Sequence, residues 1–123
     1  MAIQVEASAE AAKRVVLALG DAINAEDFQL ARKYVSKDLK HVGPFGSHDN
    51  SEAYFEEMER LRLKFKVHRA FADRNDVCLF YDVTAFGTTT FTSAWFQVKD
   101  GKVSSMRVVF DTAPLLAARA ASR

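Results

Sequence analysis

The feature that most constrains this chain is a change in its hydrophobic period near residue 64. Before that point apolar residues recur with the spacing of helices, and after it they alternate with the two-residue spacing of strands. Helices followed by a run of strands are typical of an α+β layer fold. Because the chain has only 123 residues, we expect a single domain, residues 1–123, with one hydrophobic core.

Three helices are predicted before the change of period. The first covers residues 7–24, where apolar side chains form one stripe, and a shorter second helix turns its apolar residues between 28 and 35 inward. The third helix opens at Asp49 or Asn50, either of which is a good N-cap. A short strand at 39–42 separates the second helix from the third.

Four strands are predicted after the change of period, and they follow one another as an antiparallel meander. Asp100-Gly101 is a strong signal for a tight turn, and polar four-residue segments separate the other strands. The Ala-rich tail beyond Pro114 is expected to fray. The predicted strands cover residues 65–72, 77–86, 91–99 and 102–110.

The hairpin turns predict a register, and the register divides the sheet residues between two faces. Asp82 is expected opposite Trp95 and Arg69 opposite Phe80, which places all four side chains on one face. Both faces are substantially apolar, but three short helices can cover only one of them. We therefore expect a homodimer in which the uncovered faces pack together. The opposite face is expected to carry His68, Leu79, Tyr81, Phe96 and Val109.

Composition argues against several classes of function. The net charge of +1 provides no electrostatic footprint for nucleic acid or an anionic membrane, and no apolar segment reaches the length of a membrane span. Cys78 is the only cysteine, so an intrachain disulfide is impossible, which fits a reducing compartment. The three histidines show none of the spacings of metal motifs. We expect a cytoplasmic protein without metal or cofactor that binds neither nucleic acid nor membranes.

A family resemblance is carried by three stretches of the chain, residues 25–38, 41–46 and 95–111. In that order they resemble the second-helix segment, the loop that enters the pocket and the terminal hairpin of the nuclear transport factor 2-like superfamily, which includes ketosteroid isomerases, SnoaL-like polyketide cyclases and limonene epoxide hydrolases. The resemblance implies a curved antiparallel sheet wrapped around three N-terminal helices. It also implies a cone-shaped pocket between sheet and helices that holds a small, largely apolar molecule.

The chain departs from this superfamily at positions where relatives keep catalytic groups. Gly43 stands where ketosteroid isomerases have an Asp base before the loop proline, and Leu19 and Ser93 stand at about the positions of their Tyr and acid donors. Val108 replaces the Asp that epoxide hydrolases and cyclases keep on the terminal strand. The mechanisms of those enzymes are therefore not expected here.

Two residues are candidates for catalysis. Asp82 is the one acid in an apolar strand segment, where loss of solvation raises the pKa of a carboxyl group and makes a general acid or base. The alternative for Asp82 is a structural ion pair with Arg69. His41 is expected at the pocket mouth, where it would assist Asp82, and the alternative is a hydrogen-bonded or exposed loop histidine. His48 is expected to face solvent.

The resemblance implies that the face bearing Ser93, Trp95, Met106 and Phe110 lines the pocket, and that the face bearing Tyr81 is the oligomer side. We expect an enzyme, a lyase, isomerase or hydrolase, that acts on a hydrophobic cyclic or polyketide-like substrate by acid–base chemistry. The alternative is a non-catalytic ligand-binding or dimeric assembly module. The expected ligand-binding residues are Leu19, Phe45, Phe55, Met58, Arg69, Phe80, Thr84, Ser93, Trp95, Met106, Val108 and Phe110.

Overall fold

The computed structural model of the protein describes residues 2–121, with side chains described from residue 7 onward. Within this range, no helix is long and apolar enough to cross a membrane. The elements in chain order are α1 (Ala2–Asn24), α2 (Phe28–Arg32), β1 (Val35–Gly43), β2 (Gly46–His48), α3 (Ser51–Leu61), β3 (Lys64–Asp73), β4 (Asp76–Ala85), β5 (Thr88–Lys99), β6 (Lys102–Phe110) and α4 (Ala113–Ala121).

The strands form one curved sheet in the order β2-β1-β6-β5-β4-β3. Neighbouring strands are antiparallel except β1 and β6, which run parallel. The predicted α+β architecture, with a curved sheet and N-terminal helices on it, is confirmed, but the sheet is mixed and not antiparallel throughout as predicted. The β1–β2 hairpin extends the predicted meander beyond β6 and places residues 41–48 at that edge of the sheet.

Side-chain caps explain where α2 and α3 begin. The carboxylate of Asp27 accepts a hydrogen bond from the amide of Leu30 at 3.1 Å, and the side-chain oxygen of Asn50 accepts one from Ala53 at 2.8 Å. Each contact satisfies an amide that the first helical turn leaves without an intrahelical partner. Of the two predicted N-caps for α3, the structure therefore selects Asn50.

Three segments are more ordered than the sequence predicted. β1 begins at Val35, earlier than expected, because the amide of Val103 donates to the carbonyl of Tyr34 at 2.8 Å and aligns β1 with β6. The short β2 was not predicted, since three residues are too few to show alternation. The predicted fraying of the tail is wrong, because residues 113–121 form α4 and bury Leu115.

Two irregularities in strand pairing reverse part of the predicted faces. The pairing of β3 with β4 shifts between Val67 and Arg69, so that Val67 lies opposite Tyr81 although Arg69 keeps its predicted partner, Phe80. A second shift, between Gln97 and Val98, interrupts the pairing of β5 with β6. An extra residue in one strand reverses the alternation of side chains beyond it. The start of β3 and most of β6 therefore present the opposite face from the one predicted.

The register predicted between β4 and β5 is wrong as well. Asp82 lies opposite Phe91, not Trp95, because the chain already turns at Phe86-Gly87. Both turn residues have positive φ, 54° and 72°, which suits a two-residue hairpin turn and leaves the following threonines in the strand. The displacement is an even number of residues, so it leaves the two faces of these strands unchanged.

The helices cover the sheet face that the sequence assigned to the oligomer side. Along β4 and β5 every second residue is buried, while the residues between them are more accessible. α1 packs against β3 and β4, and α3 packs against β1. The assignment of Tyr81 and its neighbours to an oligomer face is therefore wrong. Buried residues of this inner face include Val77, Leu79, Tyr81, Val83, Ala94, Phe96 and Val98.

Candidate functional site

Two cavities lie between the helices and the inner face of the sheet. Cavity 1 has a volume of about 310 Å³ and lies against α1. Cavity 2 has a volume of about 240 Å³ and lies against α3, α4 and the β1–β2 hairpin. The residues that line both cavities make them parts of one site at the centre of the fold; they are Tyr54, Phe65, Tyr81 and Val108.

Cavity 1 has mainly apolar walls. Asn24 lies in the wall, but its side-chain amide already has hydrogen-bond partners. It donates to the carbonyl of Phe65 at 2.8 Å and accepts from the amide of Phe65 at 2.7 Å. Asp21 lies at an exposed position. A ligand in this cavity would therefore meet hydrocarbon on most sides. The apolar wall includes Val16, Leu17, Leu19, Ile23, Val67, Leu79, Phe96 and Met106.

Tyr54 of α3 and Tyr81 of β4 place two hydroxyl groups where the cavities meet. Both residues are buried, with exposed fractions of 5% and 6%. Neither hydroxyl has a hydrogen-bond partner among residues 7–121, and no fully enclosed side-chain oxygen in that range lacks one. The two hydroxyls must therefore retain open space beside them, and that space is the cavities that both residues line.

The two phenols stay protonated. Burial raises the pKa of both side chains well above the ordinary value for tyrosine, and the nearby Tyr54 raises the pKa of Tyr81 further. A neutral phenol carries an O–H donor. The centre of the site therefore offers two hydrogen-bond donors inside a largely apolar space.

A pair of histidines lines cavity 2 beside Tyr54. The β1–β2 hairpin sets His41 directly opposite His48, and their Nδ1 atoms lie 2.9 Å apart. The ring centroid of His41 lies 5.0 Å from that of His48 and 5.0 Å from that of Tyr54. Burial, and secondly the neighbouring His48 ring, lowers the pKa of His41 to about 4. His41 is therefore neutral at neutral pH.

Charged side chains at cavity 2 come from the helices. Glu57 and Arg60 of α3 form an ion pair at 2.7 Å, and Arg119 of α4 also lines the cavity. Glu57 acts to raise the pKa of His41, but burial and His48 outweigh it. Across the described residues, no group of three His, Cys, Asp or Glu side chains could hold a metal ion.

Most of the ligand-binding residues predicted on helices, loop and terminal strand do line the cavities. Phe55 is an exception, because it is fully buried in the core and the Arg32 guanidinium lies 5.0 Å from its ring centroid. The predicted residues that line a cavity are Leu19, His41, Phe45, Met58, Met106, Val108 and Phe110.

The predicted residues of β3, β4 and β5 lie on the outer face and line neither cavity. Asp82 contacts His68 there, with Oδ2 and Nε2 2.9 Å apart, instead of Arg69. The indole nitrogen of Trp95 donates to Asp76 at 2.8 Å. The structure therefore does not bring Asp82 and His41 together. The other predicted residues on this face are Arg69, Phe80, Thr84 and Ser93.

The sequence contains a signal that identifies the inner face of β4. Positions 77, 79, 81, 83 and 85 are all apolar or aromatic, whereas the alternate positions include Asp82 and Thr84. A half-buried strand normally turns its more polar set outward. The more apolar set, which contains Tyr81, therefore belongs to the inner face. For His48, which was expected to face solvent, the strand that pairs it with His41 is too short to read from the sequence.

A family model matches the greater part of the chain. The model of the SnoaL-like domain covers residues 16–106, which include both tyrosines and both histidines of the site. A comparison with curated proteins finds no match.

Several solved structures share the fold over most of the chain. An NTF2-like protein of unknown function from Cytophaga hutchinsonii is 35% identical, with a TM-score of 0.83, and the alignment covers 85% of this chain and 94% of that one. A protein from Kribbella flavida is 29% identical, with a TM-score of 0.81 and coverage of 91% and 96%. An LEH-like epoxide hydrolase from M. tuberculosis is 22% identical, with a TM-score of 0.78 and coverage of 89% and 90%, which demonstrates a common fold alone.

Proposed function

The chain belongs to the SnoaL-like domain family, and on that premise we propose that it binds a small, largely apolar cyclic molecule by an oxygen atom and acts on it by acid–base chemistry. One observation carries the proposal: the unpaired hydroxyls of Tyr54 and Tyr81 open into apolar cavities. The reaction class is that of a lyase, isomerase or hydrolase. The substrate is hydrophobic and polyketide-like in its shape and polarity.

The tyrosines explain why the ligand should carry an oxygen. A buried donor without a partner is costly, and a carbonyl or alkoxide oxygen between the two hydroxyls would satisfy both. The largely hydrocarbon walls favour an apolar body around that oxygen, because burial of apolar surface supplies most of the binding free energy. Donors aimed at one oxygen also stabilise negative charge that develops on it during a reaction.

The proposal is tested with a matched pair of probes, 2-tetralone and tetralin, which have the same bicyclic frame with and without a ketone oxygen. We expect calorimetry to show tighter binding of 2-tetralone to the wild-type protein. Tyr54→Phe and Tyr81→Phe should each weaken ketone binding by about tenfold, the value of one hydrogen bond of about 1 kcal/mol or slightly more. Binding of tetralin should be unchanged in both variants.

The control variant is Tyr34→Phe, because Tyr34 lines neither cavity. It should bind both probes as the wild type does. Equal affinity of the wild type for the two probes, or binding of neither, would contradict the proposed function.

A second candidate function, assembly through the outer face of the sheet, is supported by an exposed patch of large apolar side chains. The inner face is occupied by helices, so nothing within the described chain covers this patch. We propose that a second copy covers it, since Asp82 and Arg107 give the face both signs of charge and a two-fold interface needs a self-complementary surface. The patch consists of Phe71, Phe91, Trp95 and Val109.

We also propose that the protein is cytoplasmic. Cys78 is a free, half-buried thiol on β4. A free thiol persists most readily in a reducing compartment, which supports this location.

A further inference from the structure

We propose that His41 and His48 form a two-way proton relay, in which Nε2 of His41 exchanges a proton with the molecule bound in the cavities. The inference deepens the proposed function and rests on it for the bound molecule. It assigns the acid–base chemistry to the β1–β2 hairpin instead of the outer-face residue Asp82. The relay comprises four ring nitrogens, two of which face each other and two of which remain open.

The hairpin fixes the two rings against each other. His41 and His48 are directly paired across β1 and β2, and Gly43 pairs with Gly46 at the turn. The separation of 2.9 Å between the two Nδ1 atoms is that of a hydrogen bond, which requires one proton between them. The ring of Tyr54 packs on that of His41 and limits its rotation. The pair is therefore held in one arrangement before any ligand binds.

The tautomers of the pair are linked. A neutral imidazole has one N–H and one bare nitrogen. If Nδ1 of His41 holds the shared proton, then Nε2 of His41 is bare and Nε2 of His48 carries a proton; if His48 holds it, the roles are exchanged. In either state the neutral pair therefore offers one proton acceptor and one proton donor.

Transfer through the pair balances with water as the only further reagent. Nε2 of His41 accepts a proton from a C–H beside the ligand carbonyl, and the electron pair of that bond moves to the carbonyl oxygen between Tyr54 and Tyr81. The Nδ1 proton of His41 passes to Nδ1 of His48, and Nε2 of His48 releases its proton to water. His41 now carries Nε2–H and can return that proton to the ligand, while the shared proton moves back to Nδ1 of His41 and Nε2 of His48 takes a proton from water.

The backbone at Gly43 leaves the space that the reacting nitrogen uses. A Cβ on Gly43 would lie 3.2 Å from Nε2 and 3.3 Å from Cε1 of His41, closer than ordinary van der Waals contact. Nε2 has no hydrogen-bond partner among residues 7–121, and it is not sealed from solvent. Because Gly43 and His41 both line cavity 2, this open nitrogen is beside the bound molecule.

The surroundings of His41 keep this ring neutral before a ligand binds. Glu57, on α3, acts on His41 but is held by Arg60, and Tyr54 on the same helix is a neutral phenol. On β1 and the segment after β2, Lys40 and Asp49 form an exposed ion pair at 4.0 Å. The depressed pKa of His41 agrees with this environment, since burial and His48 both disfavour its charged form.

The relay is tested by the exchange of the C1 protons of 2-tetralone in D₂O, followed by NMR. We expect the wild type to accelerate exchange, and His41→Gln and His48→Asn each to slow it by about 100-fold, the range of a lost acid–base group. Asn at 48 can still bond to His41 but cannot pass a proton on. Both variants should bind 2-tetralone within about twofold of the wild type, since neither loses a tyrosine donor.

Two further variants test whether exchange requires the position of the His41 ring or only the presence of a histidine in the protein. His68→Gln, which removes the outer-face histidine, should exchange protons as fast as the wild type. Gly43→Ala keeps both histidines but displaces the His41 ring, so it should slow exchange severalfold without weakening binding. Wild-type protein that binds 2-tetralone but does not accelerate its exchange would overturn the relay, whereas loss of the preference for ketone over tetralin would overturn the proposed function instead.

A measurement on the ligand-free protein tests the relay even if a variant fails to fold. ¹⁵N NMR of the imidazoles at neutral pH should find one protonated and one bare Nδ1 across His41 and His48. Two rings that both carry their proton on Nε2 would share no Nδ1 proton, and that result would overturn the relay whatever the probe does.

Discussion

At the scale of the residue, the environment of His41 makes protonation unfavourable in the folded protein. An imidazolium at this position would lose water on folding and would face His48, and Glu57 compensates only in part. The pKa of the ring is therefore about 4 in the folded protein, against 6.5 for an ordinary histidine. In the unfolded chain the same ring titrates normally, so the two states bind protons differently between these values.

This difference predicts the pH dependence of stability. In the unfolded chain His41 binds a proton as the pH falls through about 6.5, whereas in the folded protein it does so only near pH 4. The free energy of unfolding therefore decreases as the pH falls through this window. The full shift corresponds to about 3 kcal/mol, and the partial exposure of the ring reduces the expected loss to about 1–2 kcal/mol. Above pH 6.5 His41 is neutral in both states and does not contribute to the pH dependence of stability. Urea unfolding at a series of pH values measures the decrease.

The comparison that isolates His41 is with His41→Gln, which cannot titrate. Glu26 and Glu52 also have lowered pKa values, through Lys64 and Arg32 respectively, so their ion pairs weaken on acidification in both proteins. We therefore expect a shallower decrease for His41→Gln than for the wild type between pH 6.5 and 4. Identical pH profiles for the two proteins would refute the assigned burial of His41.

At the scale of the element, one side chain joins the end of α1 to the beginning of β3. Asn24 is the last residue of α1, and its amide group bonds to both the carbonyl and the amide of Phe65. Lys64 adds a bond from its ammonium group to the carbonyl of Asn24 at 2.9 Å. These contacts hold α1 over the sheet and so fix the width of cavity 1, which both Asn24 and Phe65 line.

The loss of this clamp should destabilise the fold. Asn24→Ala leaves the partly buried amide and carbonyl of Phe65 without partners, so we expect a decrease of about 1–3 kcal/mol in the free energy of unfolding. Gln29→Ala is the matched control, since Gln29 is an exposed amide on α2 and should change stability by less than about 0.5 kcal/mol. Chemical unfolding of both variants provides the comparison, and equal stabilities would show that the clamp contributes nothing.

The order of the elements could be predicted from the sequence, but the faces of the sheet could not. Alternation located β3 to β6 because their inner residues are apolar, and the pairing beside the turns at 73–76 and at Asp100-Gly101 matched the prediction. The irregularity near His68 leaves no mark in composition, and it alone reverses Val67 relative to Arg69. Counting across a bulge therefore gave the wrong face for the start of β3 and most of β6, whereas β4 and β5 kept their predicted division into two faces.

The residues of the candidate site were likewise predicted only in part. Leu19 and Met58 were identified because helical spacing and the pocket loop do not depend on strand register. Asp82 was singled out as a buried acid, although a polar residue in a half-apolar strand is better explained by an outward position. The His41–His48 pair could not be predicted, because it depends on the pairing of β1 with β2, and β2 has only three residues.

At the scale of the whole molecule, the sheet has one face closed by helices and one face open. The expectation that an apolar face would remain uncovered was based on composition and did not depend on which face it was. Rings contact each other on the open face: the centroids of Phe80 and Phe91 lie 6.1 Å apart and those of Phe71 and Phe80 lie 6.2 Å apart. Apolar patches of this kind are uncommon on monomers and typical of interfaces.

The proposed dimer predicts the effect of a charge placed at the centre of this face. Phe91→Glu sets like charges near each other across a two-fold interface, which costs several kcal/mol, so we expect the dissociation constant to rise by at least about 100-fold. Sedimentation at micromolar concentration should give a dimer for the wild type and a monomer for Phe91→Glu. Leu30→Glu, which charges an exposed apolar residue of α2 away from the sheet, should remain dimeric. Because the open face and the cavities lie on opposite sides of the sheet, the monomeric variant should still prefer 2-tetralone to tetralin, and a wild-type monomer would exclude this dimer.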